Sequence, residues 1–190
     1  QIMPRHSAVF QPIPLHVSKA MIAEVSLHGT LAKGLEQFLN RHRVYANSTG
    51  DSHLIVRTFN RLAEAARTHD PDWAIARAEE ALAWDRNNAR NWTVLGRCLW
   101  ARGLKADKAG DAAGTERDGH DAMDTLWDAR FRFPWDPFVR TELGKLYRDA
   151  GDLDTAETVY REAIADFPQD SACHAGLAEV LREKGLIDEA

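Results

Sequence analysis

Cysteine is scarce: Cys98 and Cys173 are the only two in 190 residues, so no disulfide framework supports this chain, and both read as buried free thiols. No apolar run approaches the ~18–20 residues that a membrane-spanning helix needs. At the N-terminus, Pro12, Pro14, His16 and Lys19 interrupt what would have to be the apolar stretch of a secretory signal. Together these absences point to a cytoplasmic protein. Catalytic and cofactor motifs are missing as well. The eight histidines are scattered, with no His-Glu-x-x-His, no Gly-x-Ser-x-Gly, no Gly-x-Gly-x-x-Gly and no phosphate loop. Asp118, His120, Asp121 and Asp124 are the densest ligand-like group, and they read as an acidic helix N-terminus rather than a metal site. The expectation is therefore a protein that is not an enzyme and holds no metal or cofactor.

What is present is a repeat. From Pro137, small or apolar residues fall at Leu143, Gly144, Tyr147, Ala156, Tyr160, Ala163 and Pro168, and the chain re-enters the same register at Ser171 with Leu177, Ala178 and Leu181. Gly151 and Gly185 occupy the same slot 34 residues apart, where a helix C-terminus favours a left-handed residue. A segment that cannot bury its apolar face alone must stack on its neighbours, which makes an α-solenoid. The spacing resembles the tetratricopeptide repeat (TPR) at nearly every signature position, Arg140 standing where the first aromatic belongs. The resemblance implies an all-α fold of antiparallel helix pairs wound into a right-handed superhelix.

Reading backwards, Trp92, Leu95, Gly96 and Leu99 open a repeat over 89–136, whose second-helix residues Ala122, Leu126 and Ala129 come 14 residues late. Fourteen residues is close to four helical turns. Shared between both helices, they lengthen the hairpin and place its tip at Gly110–Gly114; alternatively the turn stays at Gly103 and residues 104–117 loop out. Residues 53–88 form a degenerate repeat, with Asp70-Pro71-Asp72 as an N-cap followed by proline. Residues 1–17 read as an extended proline-containing arm, and 18–52 as N-terminal capping helices. The truncated repeat 171–190 stops where its second helix begins, so the chain is expected to be a piece of a longer protein.

The resemblance also implies a concave groove lined by fixed positions of each first helix. Here these are Arg90, Thr93, Arg97, Trp100 and Ala101, then Phe138, Thr141, Lys145, Arg148 and Asp149, then Ala172, Ala175, Glu179, Arg182 and Glu183. Nine of them, Arg90, Thr93, Arg97, Trp100, Phe138, Thr141, Lys145, Arg148 and Arg182, are the candidate partner-binding residues. Their basic character suits an acidic peptide, unless the cations pair with Glu and Asp of adjacent repeats. The slots at Thr93, Arg97, Thr141 and Lys145 do not match the Lys and Asn of the family's carboxylate-clamp members. Trp92 fills a core position, while Trp127 and Trp135 are expected to pack where the long hairpin meets the next repeat.

Charge is uneven: residues 1–70 hold eight Lys/Arg against five Asp/Glu, whereas 71–190 hold sixteen against twenty-four. Arg41-His42-Arg43 is too short a cluster to make a nucleic-acid footprint. The leading expectation is a protein-interaction scaffold that binds a peptide or protein segment. The alternatives are the regulatory part of a larger enzyme and a homo-oligomer assembled through the N-terminal arm.

Overall fold

A computed structural model of the chain describes residues 52–185. The expected N-terminal arm, the capping helices and the segment 186–190 lie outside the described residues. Among the described residues the secondary structure is wholly helical. The helices are α1 (Ser52–Ala66), α2 (Pro71–Trp84), α3 (Ala89–Lys108), α4 (Ala112–Arg132), α5 (Pro137–Asp149), α6 (Leu153–Asp166) and α7 (Ser171–Glu183).

Local chemistry sets the boundaries. Asp70, Asn88, Asp111, Asp136, Asp152 and Asp170 each precede a helix, and each side chain accepts a hydrogen bond from a backbone N–H of the first turn. These bonds satisfy donors that the helix itself leaves unpaired. Pro71 and Pro137 occupy the first helical position, where no N–H is needed. At the C-terminus of α5, Gly151 takes φ 81°, allowing Asp152 N–H to bond Tyr147 O at 3.0 Å. Gly110, with φ 76°, turns α3 into α4 in the same way.

Residues 104–117 lie in α3, α4 and the turn 109–111 between them. Gly114 is inside α4, so the tip is shorter than the Gly110–Gly114 stretch suggested. Gly103 is a buried mid-helix residue that packs on Asp118. At 1.5 Å per residue, α3 is about 30 Å long and α5 about 20 Å, so the α3–α4 hairpin outreaches its neighbour by some two turns on each helix.

The hairpins stack in chain order and share one core. Ala63 of α1, Ala78 of α2, Val94 and Cys98 of α3, Leu126 of α4, Leu143 of α5 and Val159 of α6 belong to a single buried cluster. That is the stacking an α-solenoid needs to shelter its apolar faces. Where first and second helices cross, small residues admit large ones: Gly96 receives Leu126, and both Gly144 and Gly176 receive the buried ring of Tyr160. Arg140, standing in place of an aromatic, is itself buried. It lies over the Phe167 ring at 5.4 Å, with Asp166 at 2.6 Å. Its aliphatic stem and guanidinium plane fill the space an aromatic ring would occupy.

A buried amide pair ties the degenerate first hairpin to the next. Asn60 Nδ2 donates to Asn91 Oδ1 at 2.7 Å, while Asn91 Nδ2 donates to Ala81 O and Asp85 O at 3.0 and 2.6 Å. One side chain thus joins α1, α3 and the end of α2.

Candidate interaction surface

Curvature follows from which helices touch. The first helices of successive hairpins contact one another, α1 with α3, α3 with α5 and α5 with α7, whereas the second helices α2, α4 and α6 make no comparable contacts. A stack that is close on one side and splayed on the other bends toward the close side. First helices therefore line the inner, concave face.

Along that face the cations are paired across repeats. Arg97 of α3 lies between Glu64 of α1, at 3.0 Å, and Glu142 of α5, at 3.6 Å. Glu142 is only 5% exposed and also receives Lys145 Nζ at 2.9 Å. Arg148 of α5 meets Glu179 and Glu183 of α7, as well as its neighbour Asp149. The result is a ladder of alternating sign running from α1 to α7. Burying Glu142 beside two cations offsets the cost of removing its charge from water.

This ladder changes the character of the predicted site. The face is not the open basic groove that its sequence positions suggest, because carboxylates of the neighbouring repeats pair with Arg97 and Arg148, and Lys145 pairs with Glu142 of its own helix. Glu64, two hairpins away from Glu142, belongs to no motif that spacing reveals, and its role emerges only from the stacking.

The other predicted residues divide by burial. Thr93 and Thr141 are buried, and their hydroxyls donate to Arg90 O and Pro137 O, so both serve their own helices rather than a ligand. Trp100 is half-buried against the core and near Gly119 of α4, which makes it a packing residue more than an open anchor. Arg90 is exposed and lies over the half-buried Phe138 ring at 5.7 Å, bridging α3 to α5. Arg182 is exposed on α7. Arg90 and Arg182 have no carboxylate partner among the described residues, so Arg90, Arg182 and Phe138 are what the face offers.

Elsewhere, Trp127 reaches the next repeat, its Nε1 donating to Tyr147 Oη at 2.9 Å, but its ring stays 42% exposed rather than buried at the junction. Trp135, expected at the same junction, makes no such contact among the described residues: it sits in the α4–α5 connection at 82% exposure, near Phe131 in sequence, which is 88% exposed. Asp118 is not at a helix N-terminus either. α4 starts at Ala112, and Asp118 is a buried mid-helix carboxylate held by Arg102 at 2.8 and 2.9 Å and by Arg117 at 3.0 Å. No group of three or more His, Cys, Asp or Glu side chains among the described residues is arranged to hold a metal ion. None of the described helices is long and apolar enough to cross a membrane.

Residues 141–190 match the tetratricopeptide repeat family. No curated protein matches the sequence. Among solved structures, the chain is similar to a thermophilic TPR protein of Thermus thermophilus, with 20% identity and a TM-score of 0.59 over 81% of this chain and 85% of that one. It is also similar to the MamA protein, with 16% identity and a TM-score of 0.51 over 92% of this chain and 87% of that one. At these identities the likeness is one of fold. The chain is a helical-repeat protein, an all-α solenoid. More particularly, over residues 141–190 its repeats match the tetratricopeptide type.

Proposed function

We propose that this protein is a non-enzymatic, cytoplasmic interaction scaffold that docks a protein segment against its concave face. The observation that carries this reading is the continuous inner face of α1, α3, α5 and α7, whose side chains are held in place by bridges between repeats before any partner arrives. Pre-organisation of this kind lowers the ordering cost of binding. Phe138 with Arg90 supplies an amphipathic contact, and Arg182 supplies an uncompensated charge. Because Arg97, Lys145 and Arg148 are already paired, the face favours a segment of mixed charge over a strongly acidic one.

Selection of binding peptides from a displayed library on the immobilised chain tests this. Selected peptides should lose about tenfold or more in affinity for the variant Phe138→Ala/Arg90→Ala, the range of a contact at an interface centre. Its far-UV circular dichroism should remain intact. Unchanged affinity in that variant overturns the assignment of the concave face.

A second reading, assembly of copies, is favoured by the exposure of Phe131 and Trp135 on adjoining segments. Sedimentation of Phe131→Ser/Trp135→Ser against the parent chain decides it, and identical monomers in both cases exclude it.

A further inference from the structure

The splay of the second helices that bends the stack also opens furrows on its outer side, each floored by a first helix. The two furrows that the structure describes are finished differently. Between α4 and α6, Arg130 of one wall reaches Glu162 of the other at 2.7 Å. Its guanidinium also covers Trp127 at 4.9 Å, and that ring is hydrogen-bonded to Tyr147 on the floor. This furrow is closed by the protein's own cation.

Between α2 and α4 the tip end is closed in similar fashion. Arg102, rising from the floor helix α3, joins Asp72 of α2 at 3.4 Å to Asp118 of α4 at 2.8 Å. Past that clamp the furrow widens into a cavity of about 330 Å³. Its floor is apolar, formed by Trp92, Leu95 and Leu99. Trp92 Nε1 is already bonded to Arg86 O at 3.0 Å, so the indole adds no unsatisfied donor to the floor. Its walls carry Glu79 from α2 and Asp121, Asp124 and Asp128 from α4, with no cation among the lining residues. None of these four carboxylates is paired with a cation among the described residues. Arg132 stands nearby, over the Trp92 ring at 4.9 Å, but does not line the cavity.

We propose that this furrow is a second docking surface, facing away from the concave one, for a basic protein segment that places an apolar side chain on Trp92, Leu95 and Leu99 between flanking Lys or Arg residues. Charge complementarity carries the choice of occupant. In the neighbouring furrow Arg130 spans the walls to Glu162 while covering Trp127 of its own helix, and at the tip of this one Arg102 joins carboxylate to carboxylate. Here Arg132 covers Trp92 of the floor but pairs with none of the wall carboxylates among the described residues, so a cation that joins the two walls has to come from outside. Asp121 and Asp128 are seven residues apart on one helix, about 10 Å, so the site spans only a few residues of a bound segment.

The test uses the full chain and a short fluorescent peptide in which arginines flank leucines, with two controls: glutamate in place of arginine, and glycine in place of leucine. The parent peptide should bind, with affinity falling as salt rises, and both controls should bind more weakly. Asp124→Asn, Asp128→Asn and Glu79→Gln are exchanges at exposed or partly exposed positions that leave the buried core intact. Each should weaken binding by up to about fivefold, the worth of an exposed ion pair, and the triple variant by correspondingly more. Phe138→Ala on the concave face should leave this binding unchanged, so the two surfaces stand or fall separately. Equal affinity of the triple variant with an intact helical spectrum overturns the proposal, as does loss of peptide binding in Phe138→Ala alone. Sedimentation supplies a further arm. If the chain self-associates, and both the triple variant and Arg41→Glu/Arg43→Glu abolish this, the furrow takes a second copy and the separate basic partner is refuted.

Discussion

Tyr160 of α6 lies so close to Gly144 of α5 that a Cβ added at Gly144 would stand 2.7 Å from its ring. Gly176 of α7 meets the same buried ring. One tyrosine therefore fixes the spacing of two successive repeats. Gly144→Ala and Gly176→Ala are each expected to cost about 1–3 kcal/mol, the range for overpacking a filled core. The control is Gly119→Ala, whose new Cβ would meet Trp100 at 3.7 Å, an ordinary contact. It should be neutral or stabilising by some tenths of a kcal/mol, since alanine is the better helix residue. Urea midpoints of the three variants check the order.

The Asn60–Asn91 pair is the next weak point. Asn91→Leu removes the amide that caps Ala81 O and Asp85 O and leaves Asn60 without its partner. A buried polar group left unpaired costs about 1–3 kcal/mol. Asn60→Ala should cost less, because Asn91 keeps both of its carbonyl acceptors. Thermal unfolding of the two variants separates them.

Acid sensitivity should trace to Asp118. Burial pushes its carboxyl up, but hydrogen bonds from Arg102 and Arg117 outweigh that and hold it below the ordinary value of 3.8. A carboxyl lowered in the folded state contributes stability that is complete above the unfolded value and is lost as pH falls through the folded one. Asp118→Asn should therefore be less stable than the parent at neutral pH, by about 1.5–3 kcal/mol for lost charged hydrogen bonds. Below about pH 4 its urea midpoint should fall less steeply than the parent's. Parallel acid limbs in the two proteins would remove Asp118 from the account.

Cys98 should be silent in the native protein. Burial is the main cause that pushes its thiol up to about 12, with the nearby Glu64 charge adding to it. Its Sγ also faces Ala63 O at 3.9 Å. At about pH 8.5, where a free thiol is half ionised, alkylation of Cys98 should proceed only at the rate of unfolding. Mass spectrometry of alkylated peptides with and without urea measures this.

Much of the architecture could be read from the sequence, because stacking makes a local demand at each position. Leu143, Gly144, Ala156, Tyr160 and Ala163 face a neighbour at fixed offsets, and all five are buried. The helix starts were also within reach. Asp70 was recognisable from the proline after it, and the same logic applies to Asp136 before Pro137. The aspartates at 111, 152 and 170 carry no such marker, yet they cap in the same way.

The surface was less legible, for physical reasons. Slot positions say which way a side chain faces, not who meets it there. Arg97 occupies a groove slot, but its state depends on Glu64 and Glu142, each more than 30 residues away in sequence. Thr93 and Thr141 occupy such slots too, yet a threonine hydroxyl in a helix can turn back to a carbonyl of the preceding turn. Trp135 stands in sequence where the long hairpin meets the next repeat, while the connection that carries it leaves it in solvent. The unpaired wall acids of the outer furrow could not be told from an ordinary solvated helix face until the missing contact between α2 and α4 was known.

The overhang of the α3–α4 hairpin has a kinetic consequence. Two helical turns at its far end lack a neighbouring repeat of matching length, and the Arg102 clamp is what links that region to α2. Amides around Gly110 should therefore exchange with deuterated solvent well ahead of those near Leu126, in a fraying that runs inward and stops at Arg102. Removing that arginine would let the zipper open further down, which turns a single side chain into the brake on how much of the molecule breathes.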